Sequence, residues 1–203
     1  MKTNYIDAVK LDGMMKEIWE IAVSKGWHNG PVSNEQFLGL VVTEAAEAVE
    51  ADRIGKRAKS DMMASIIKTQ AESEIGLSQY WYETWFQSYY NEYVKGSIEE
   101  EFADMIIRIL DMAYGIHGEK MIWVGYYPYG ENYNSAMSFI ESFWNFIRNV
   151  LNCGTMNITD SVAYIYSWAE HGCGISPDTL DMHIRWKMKK NELRPYKHGA
   201  KKY

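Results

Sequence analysis

Two pairs of acidic residues at helical spacing are the side chains in this sequence best suited to chemistry. Glu44 and Glu47 form the first pair, and Glu101 and Asp104 form the second. Residues three positions apart project from the same face of an α-helix, so each pair presents two carboxylates to one point. Both pairs border apolar stripes. Carboxylates placed there are costly unless they form ion pairs, accept hydrogen bonds or bind metal.

The residue types around the two pairs leave several interpretations open. Carboxylates with no histidine beside them make an oxygen-only site, which suits Mg²⁺ or Mn²⁺ better than zinc or copper. Arg108, in line with the second pair, could instead neutralise an acid, and the pairs would then be internal salt bridges or solvated faces of a charged bundle. A di-iron oxidase bundle is a minor alternative, because such proteins use Glu-x-x-His motifs and none of the 5 histidines follows a glutamate in that way.

Apolar periodicity and capping residues predict the helices that must position these acids. Ser33 with Gln36 has the spacing of a capping box and should open the helix carrying the first pair, which runs to about Ile54. Ser97 with Glu100 should likewise open the helix of the second pair, from Ile98 to Tyr114. Further helices are expected from Tyr5 to Lys25, after a cap at Ser60, from Leu77 to Val94, near Ser135 to Val150, near Thr159 to Glu170, and from a cap at Ser176 to about Asn191.

The remaining composition predicts an all-α protein, a helical bundle with essentially no β-sheet. The chain has only 4 prolines and 15 glycines, too few breakers for a sandwich of many short strands. No repeat or low-complexity linker divides it, so we expect one domain over residues 1–203. The stretch GYYPYGENYN is expected to be a loop, and the tail RPYKHGAKKY is expected not to be helical.

Charge and sequence signals limit the partners and the compartment. A net charge of -6 gives no general attraction to nucleic-acid polymers, although a metal could supply the local charge that one nucleotide needs. No segment reaches the roughly 18 apolar residues of a membrane span, and the first residues do not resemble a signal peptide. We expect no membrane partner, a cytoplasmic location, and free thiols at Cys153 and Cys173.

Four segments resemble a known family when they are read in order: KGWHN, LVVTEAAEAVEADRIGK, EEEFADMIIRILDMA and KMKKNELRPYKHGAKKY. They look like the MazG-like branch of the all-α nucleoside triphosphate pyrophosphohydrolases, which is related to the dimeric dUTPases. The family signature is a Glu-x-x-Glu pair followed by a Glu-x-x-Asp pair, and both pairs described above match it. Compared with compact relatives, this chain carries insertions over residues 56–96 and 118–176.

The resemblance implies hydrolysis of a nucleoside triphosphate between its α- and β-phosphates, giving the monophosphate and pyrophosphate. It implies Mg²⁺, with Mn²⁺ possible, held by Glu44, Glu47, Glu101 and Asp104, and it makes Glu44 or Glu47 the candidate general base. It also implies a homodimer or homotetramer. The residues that would bind the substrate by this analogy are Arg53, Lys187, Asn191, Arg194 and Lys197. A nucleotide-binding regulatory protein without turnover is the alternative.

The aromatic residues of the first insertion have two interpretations. Aromatic rings could cover a nucleobase, but rings at helical spacing are more often core or a subunit interface. The set comprises Tyr80, Trp81, Tyr82, Trp85, Phe86, Tyr89, Tyr90 and Tyr93.

Overall fold

The computed structural model describes residues 4–30, 32–72, 79–118, 126–129, 133–152 and 158–197, and these are predominantly helical. The all-α prediction is confirmed. The helices are α1 (Ala8–Ser24), α2 (Asn34–Arg53), α3 (Ser60–Glu72), α4 (Gln79–Tyr93), α5 (Ile98–His117), α6 (Phe139–Asn152), α7 (Ile158–Ser167) and α8 (Pro177–Glu192), with a π-helical turn at Trp168–Gly172.

A short antiparallel ribbon is the β-structure of the described chain. Strand β1 (Asn4–Asp7) pairs with β2 (Tyr126–Tyr129), so that Asn4 lies opposite Tyr129. The predictions of a helix beginning at Tyr5 and of a loop throughout GYYPYGENYN were therefore wrong at these positions. The pairing joins segments far apart in sequence, which local periodicity does not detect. Pro128 is compatible with it because both strands of a two-stranded ribbon are edges.

Helix α5 is the centre of the fold. Every residue from Ile98 to Ala113 is buried except Arg108, which is half-buried. The helix packs against α1, α2, α7 and α8, which is consistent with the burial of nearly all of its first sixteen residues. A helix in such a position normally carries only apolar residues, so the acidic side chains within it need compensating partners.

The helix starts show which capping predictions hold. Ser33 Oγ accepts a hydrogen bond from the Gln36 amide at 3.3 Å, and Gln36 Oε1 accepts one from the Ser33 amide at 2.8 Å, so the first capping box is complete. Ser97 caps α5 by accepting from the Glu100 amide at 3.2 Å. The Glu100 carboxylate does not return to the Ser97 amide, because buried donors described below hold it.

Other boundaries shift by a few residues. Ser60 begins α3 instead of preceding it, and its hydroxyl lies 2.8 Å from His183 Nε2. Helix α6 starts at Phe139, four residues later than expected, and α7 ends at Ser167, where the π-helical turn begins. Residues 194–197 of the tail are not helical, as predicted, and the rest of the tail lies outside the described residues.

Helices α3 and α4, in the segment that the family resemblance marks as an insertion, build a second, smaller core together with α8. Phe86 and Tyr90 are buried there, while Tyr82, Trp85, Tyr89 and Tyr93 are half-buried and form a ladder of ring contacts along α4. This supports the packing interpretation of those rings. The side chains of Tyr80 and Trp81 lie outside the described residues.

Two further expectations from the sequence concern membrane-spanning helices and the cysteine thiols. None of the described helices combines the length and the apolar character that crossing a bilayer requires. Cys173 is a free thiol, and Cys153 lies outside the described residues.

Candidate metal centre

Three of the four predicted acids meet where α2 packs against α5. Glu44, Glu101 and Asp104 each offer one carboxylate oxygen, and these oxygens all lie within 4.8 Å of one another. All three side chains are buried. We call these residues the acid triad. Glu47 does not belong to it: its side chain is exposed, although its charge acts on Glu101.

Burial and mutual repulsion raise the pKa values of the triad on α5. Loss of hydration raises the pKa of Glu101 to about 9, and the neighbouring charges of Asp104 and Glu100 add to the effect. Loss of hydration also raises the pKa of Asp104 to about 6, against the opposing charge of Lys187. These carboxylates are therefore held close together in a place where ionising all of them is unfavourable. A bound cation would reverse that balance.

Two cations already contact the triad. Arg108 Nε donates to Glu44 Oε1 at 3.0 Å, and Lys187 Nζ forms an ion pair with Asp104 Oδ2. The salt-bridge interpretation is therefore correct for these two acids. Glu101 differs, because its carboxylate makes no hydrogen bond or ion pair with any part of the chain that the structure describes.

Lys187 occupies a different place from the one expected of a phosphate ligand. Its ammonium group is buried between Asp104 and Glu100, with Nζ 2.6 Å from Glu100 Oε1. Burial lowers the pKa of the amine, but the two carboxylates outweigh it, so that the pKa lies above its ordinary value. Lys187 is a charged part of the acidic centre rather than a free donor beside it.

The other predicted substrate ligands divide into two groups. Asn191 lies one helical turn after Lys187; it is buried, and its Oδ1 has no hydrogen-bond partner within the described ranges. Arg194 is half-buried, with its guanidinium 6.0 Å from the Trp27 ring centroid. Arg53, in contrast, is exposed and paired with Glu50 at 2.7 Å, and Lys197 is exposed in a turn with φ 48°. The structure brings neither of the last two into contact with the triad.

Several contacts around the centre are not predicted by the sequence. Glu100 matches a capping position, and the Tyr90 ring could either pack in the core or cover a nucleobase, yet the Tyr90 hydroxyl donates to Glu100 Oε1 at 2.8 Å. Further along α5, Asp111 lies 2.9 Å from His28 Nε2, and Trp19 stacks on that imidazole with ring centroids 4.1 Å apart. Each contact joins segments distant in sequence, so no local pattern signals it.

The donor set fits a hard divalent cation. Three carboxylates from two helices match the oxygen ligands that Mg²⁺ and Mn²⁺ prefer. Among the described residues no histidine joins the triad, which disfavours the di-iron alternative.

Comparison with protein-family models, with curated proteins and with solved structures yields no match.

Proposed function

We propose that this chain is a Mg²⁺-dependent hydrolase of acid anhydrides that cleaves a nucleoside or deoxynucleoside triphosphate into the monophosphate and pyrophosphate. The observation that carries the proposal is the buried acid triad, three convergent carboxylates of which Glu101 has no partner in the described chain. A purely structural ion-pair cluster does not require that third acid, and burying it is costly. The family resemblance of the four sequence segments supplies the type of substrate.

Glu44, Glu101 and Asp104 would hold the metal. When bound, Mg²⁺ supplies positive charge that offsets the phosphate oxygens and favours ionisation of the attacking water. In the reaction the water oxygen bonds to the α-phosphorus, and the bond from that phosphorus to the oxygen bridging to the β-phosphate breaks. Pyrophosphate leaves, and the proton of the water passes to a carboxylate.

Glu47 is the better candidate for that general base. Glu44 already accepts a hydrogen bond from Arg108, whereas Glu47 is exposed and forms no hydrogen bond or ion pair with the described residues. It also lies close enough for its charge to raise the pKa of Glu101. An accessible carboxylate beside a metal site can take a proton from a bound water without breaking an existing contact.

Phosphate groups would be bound by cations near Lys187. The pKa of Lys190 is lowered, first by burial and then by the charges of Arg194 and Lys95, so these three cations lie near one another. None of the three has a carboxylate partner within the described segments. The charge of Glu100 also acts on Lys190, but it opposes the burial and the repulsion from the other cations without outweighing them. Clustered cations without direct acidic partners favour a polyanionic ligand. A homodimeric or homotetrameric assembly belongs to the same proposal through the family resemblance.

The test is pyrophosphate release from a panel of nucleoside and deoxynucleoside triphosphates, with and without Mg²⁺. We expect Mg²⁺-dependent release that falls more than about a hundredfold in Glu44→Gln and Glu101→Gln, since each removes a charged metal ligand. Glu20→Gln, which removes one exposed acid from α1, is the matched control. The proposal fails if no nucleotide releases pyrophosphate, or if both site variants retain full activity. A nucleotide that binds without turnover would support the regulatory alternative.

A further inference from the structure

Glu100 is a buried carboxylate behind the acid triad, and three donors hold it. Its Oε1 accepts hydrogen bonds from the Tyr90 hydroxyl at 2.8 Å and from Lys187 Nζ at 2.6 Å, and its Oε2 accepts one from the Gly96 amide. The donors come from α4, from the turn before α5, and from α8. Glu100 is therefore fixed from three directions although it does not belong to the triad itself.

Lys187 links the fixed Glu100 carboxylate to the triad, because its ammonium group contacts both Glu100 and Asp104. A lysine ammonium is a point charge on a flexible stem, so its location depends on the acceptors around it. Here Nζ lies between Glu100 Oε1 and Asp104 Oδ2. Because Glu100 is anchored, Lys187 is anchored, and one oxygen of Asp104 is committed to the ammonium group. The orientation of the Asp104 carboxylate is set by this chain of contacts.

Tyr90 connects the chain of contacts to the inserted helix α4. Its ring is buried in the second core beside Phe86, with centroids 5.9 Å apart. Packing alone would be satisfied by phenylalanine, which has the same ring without a hydroxyl. The hydroxyl instead meets the buried carboxylate, the kind of partner that a buried tyrosine requires.

We infer that Tyr90 and Glu100 are positioning residues of the metal centre, acting through Lys187 on Asp104, and that inserted helix α4 is thereby a functional support of the site. The inference depends on the metal centre of the proposed function but not on which nucleotide is cleaved. Groups that orient metal ligands from behind typically change metal affinity by about 10- to 100-fold when they are removed.

The test compares Tyr90→Phe with Tyr89→Phe in the full-length protein. Tyr89 lies next to Tyr90 on α4 and is half-buried, but its hydroxyl has no hydrogen-bond partner in the described ranges, so its variant is a matched control. Mn²⁺ binding is measured without nucleotide by isothermal titration calorimetry, and the bound ion is examined by electron paramagnetic resonance. We expect Tyr90→Phe to weaken Mn²⁺ binding by about tenfold and to alter the resonance spectrum, and Tyr89→Phe to change neither.

Glu100→Gln provides a second variant, which keeps the size of the side chain but removes its charge. We expect it to weaken Mn²⁺ binding at least as much as Tyr90→Phe does, because Lys187 then has Asp104 as its one charged acceptor. A folded Tyr90→Phe protein that binds Mn²⁺ like Tyr89→Phe, with the same spectrum, overturns the inference. A lowered melting temperature with unchanged Mn²⁺ binding does so as well, since it shows a structural role alone.

The same measurements separate this inference from the proposed function. A wild-type protein that binds Mn²⁺ but cleaves no nucleotide overturns the proposed reaction, and a weakened Tyr90→Phe variant then still supports the positioning role. A wild-type protein that binds no Mn²⁺ overturns the metal centre, and both proposals with it.

Discussion

The acid triad should make the metal-free protein less stable as the pH rises, and Glu101→Gln should remove that dependence. The pKa of Glu101 is raised to about 9 in the folded chain from an ordinary value of 4.5. Between those values the folded state binds a proton that the unfolded state has lost. The free energy of unfolding therefore decreases with increasing pH throughout this interval.

The size of this decrease follows from the one proton by which the folded and unfolded states differ. A full difference of one bound proton changes the free energy of unfolding by about 1.4 kcal/mol per pH unit, so a rise from about pH 6.5 to 8.0 should cost about 2 kcal/mol. In that window the other perturbed groups contribute much less than Glu101. Asp104, whose pKa is raised to about 6, is mostly ionised in the folded chain by pH 6.5. His183, whose pKa is lowered by burial to about 4, is already neutral in the folded chain, but in the unfolded chain it still loses a proton near its ordinary pKa of 6.5, which changes the free energy of unfolding by about 0.4 kcal/mol in the opposite direction. Comparison with Glu101→Gln removes both contributions, because that variant keeps Asp104 and His183. The Cys173 thiol, whose pKa is raised to about 12 by burial, stays protonated in the folded chain above it.

The assay is urea unfolding at the two pH values, at one ionic strength and with a chelator present. Between the lower and the higher pH, the free energy of unfolding should fall by about 2 kcal/mol in wild type and by the same amount in the Glu20→Gln control. It should not show this fall in Glu101→Gln. Adding Mg²⁺ at the higher pH should restore stability to wild type but not to Glu101→Gln, because a ligand that binds only the folded state stabilises it. Equal pH dependence in wild type and Glu101→Gln would refute the reasoning about the triad.

Two further predictions concern the helices that carry the triad. Ser33→Ala removes the side-chain acceptor that caps α2 and should lower the free energy of unfolding, measured in urea, by about 1 kcal/mol. Ser33→Asp keeps an acceptor and should lower it little. Equal losses in the two variants would show that the cap does not contribute. Phe102 is buried where α5 meets Trp168, with the ring centroids 4.9 Å apart. Phe102→Ala leaves a cavity there and should lower the free energy of unfolding by about 3–5 kcal/mol, and Phe102→Leu should lower it clearly less. A loss under about 1 kcal/mol in Phe102→Ala would contradict the place of this ring in the core.

The sequence was sufficient for those features that local spacing determines. Helix α2 and its capping box follow from neighbouring residues, and so does the placement of two carboxylates on one face of α5. The structure shows in addition which helix faces pack against each other, and Glu44 of α2 lies beside Glu101 and Asp104 of α5. Glu47 shares the helical spacing but remains exposed, because spacing does not determine how far a helix face is covered by its neighbours.

Features that depend on distant contacts were not predictable in the same way. The ion pair between Glu100 and Lys187 joins α5 to α8, and the ribbon joins β1 to β2 across most of the chain. Neither half of such a contact carries a distinctive local pattern. Glu100 even matched a competing local pattern, the capping box, which its buried partners override.

The charge balance of the centre explains why acids that are costly to ionise in the folded chain could be stabilised by the proposed metal. Glu44, Glu100, Glu101 and Asp104 are four carboxylates, and Arg108 and Lys187 are the two cations that contact them. With all groups ionised the centre carries two negative charges in excess, the amount that one divalent cation neutralises. Without metal, the raised pKa of Glu101 lets a proton reduce that excess. A proton and the proposed metal would therefore compete for one site, and we expect binding of Mg²⁺ near neutral pH to release a proton.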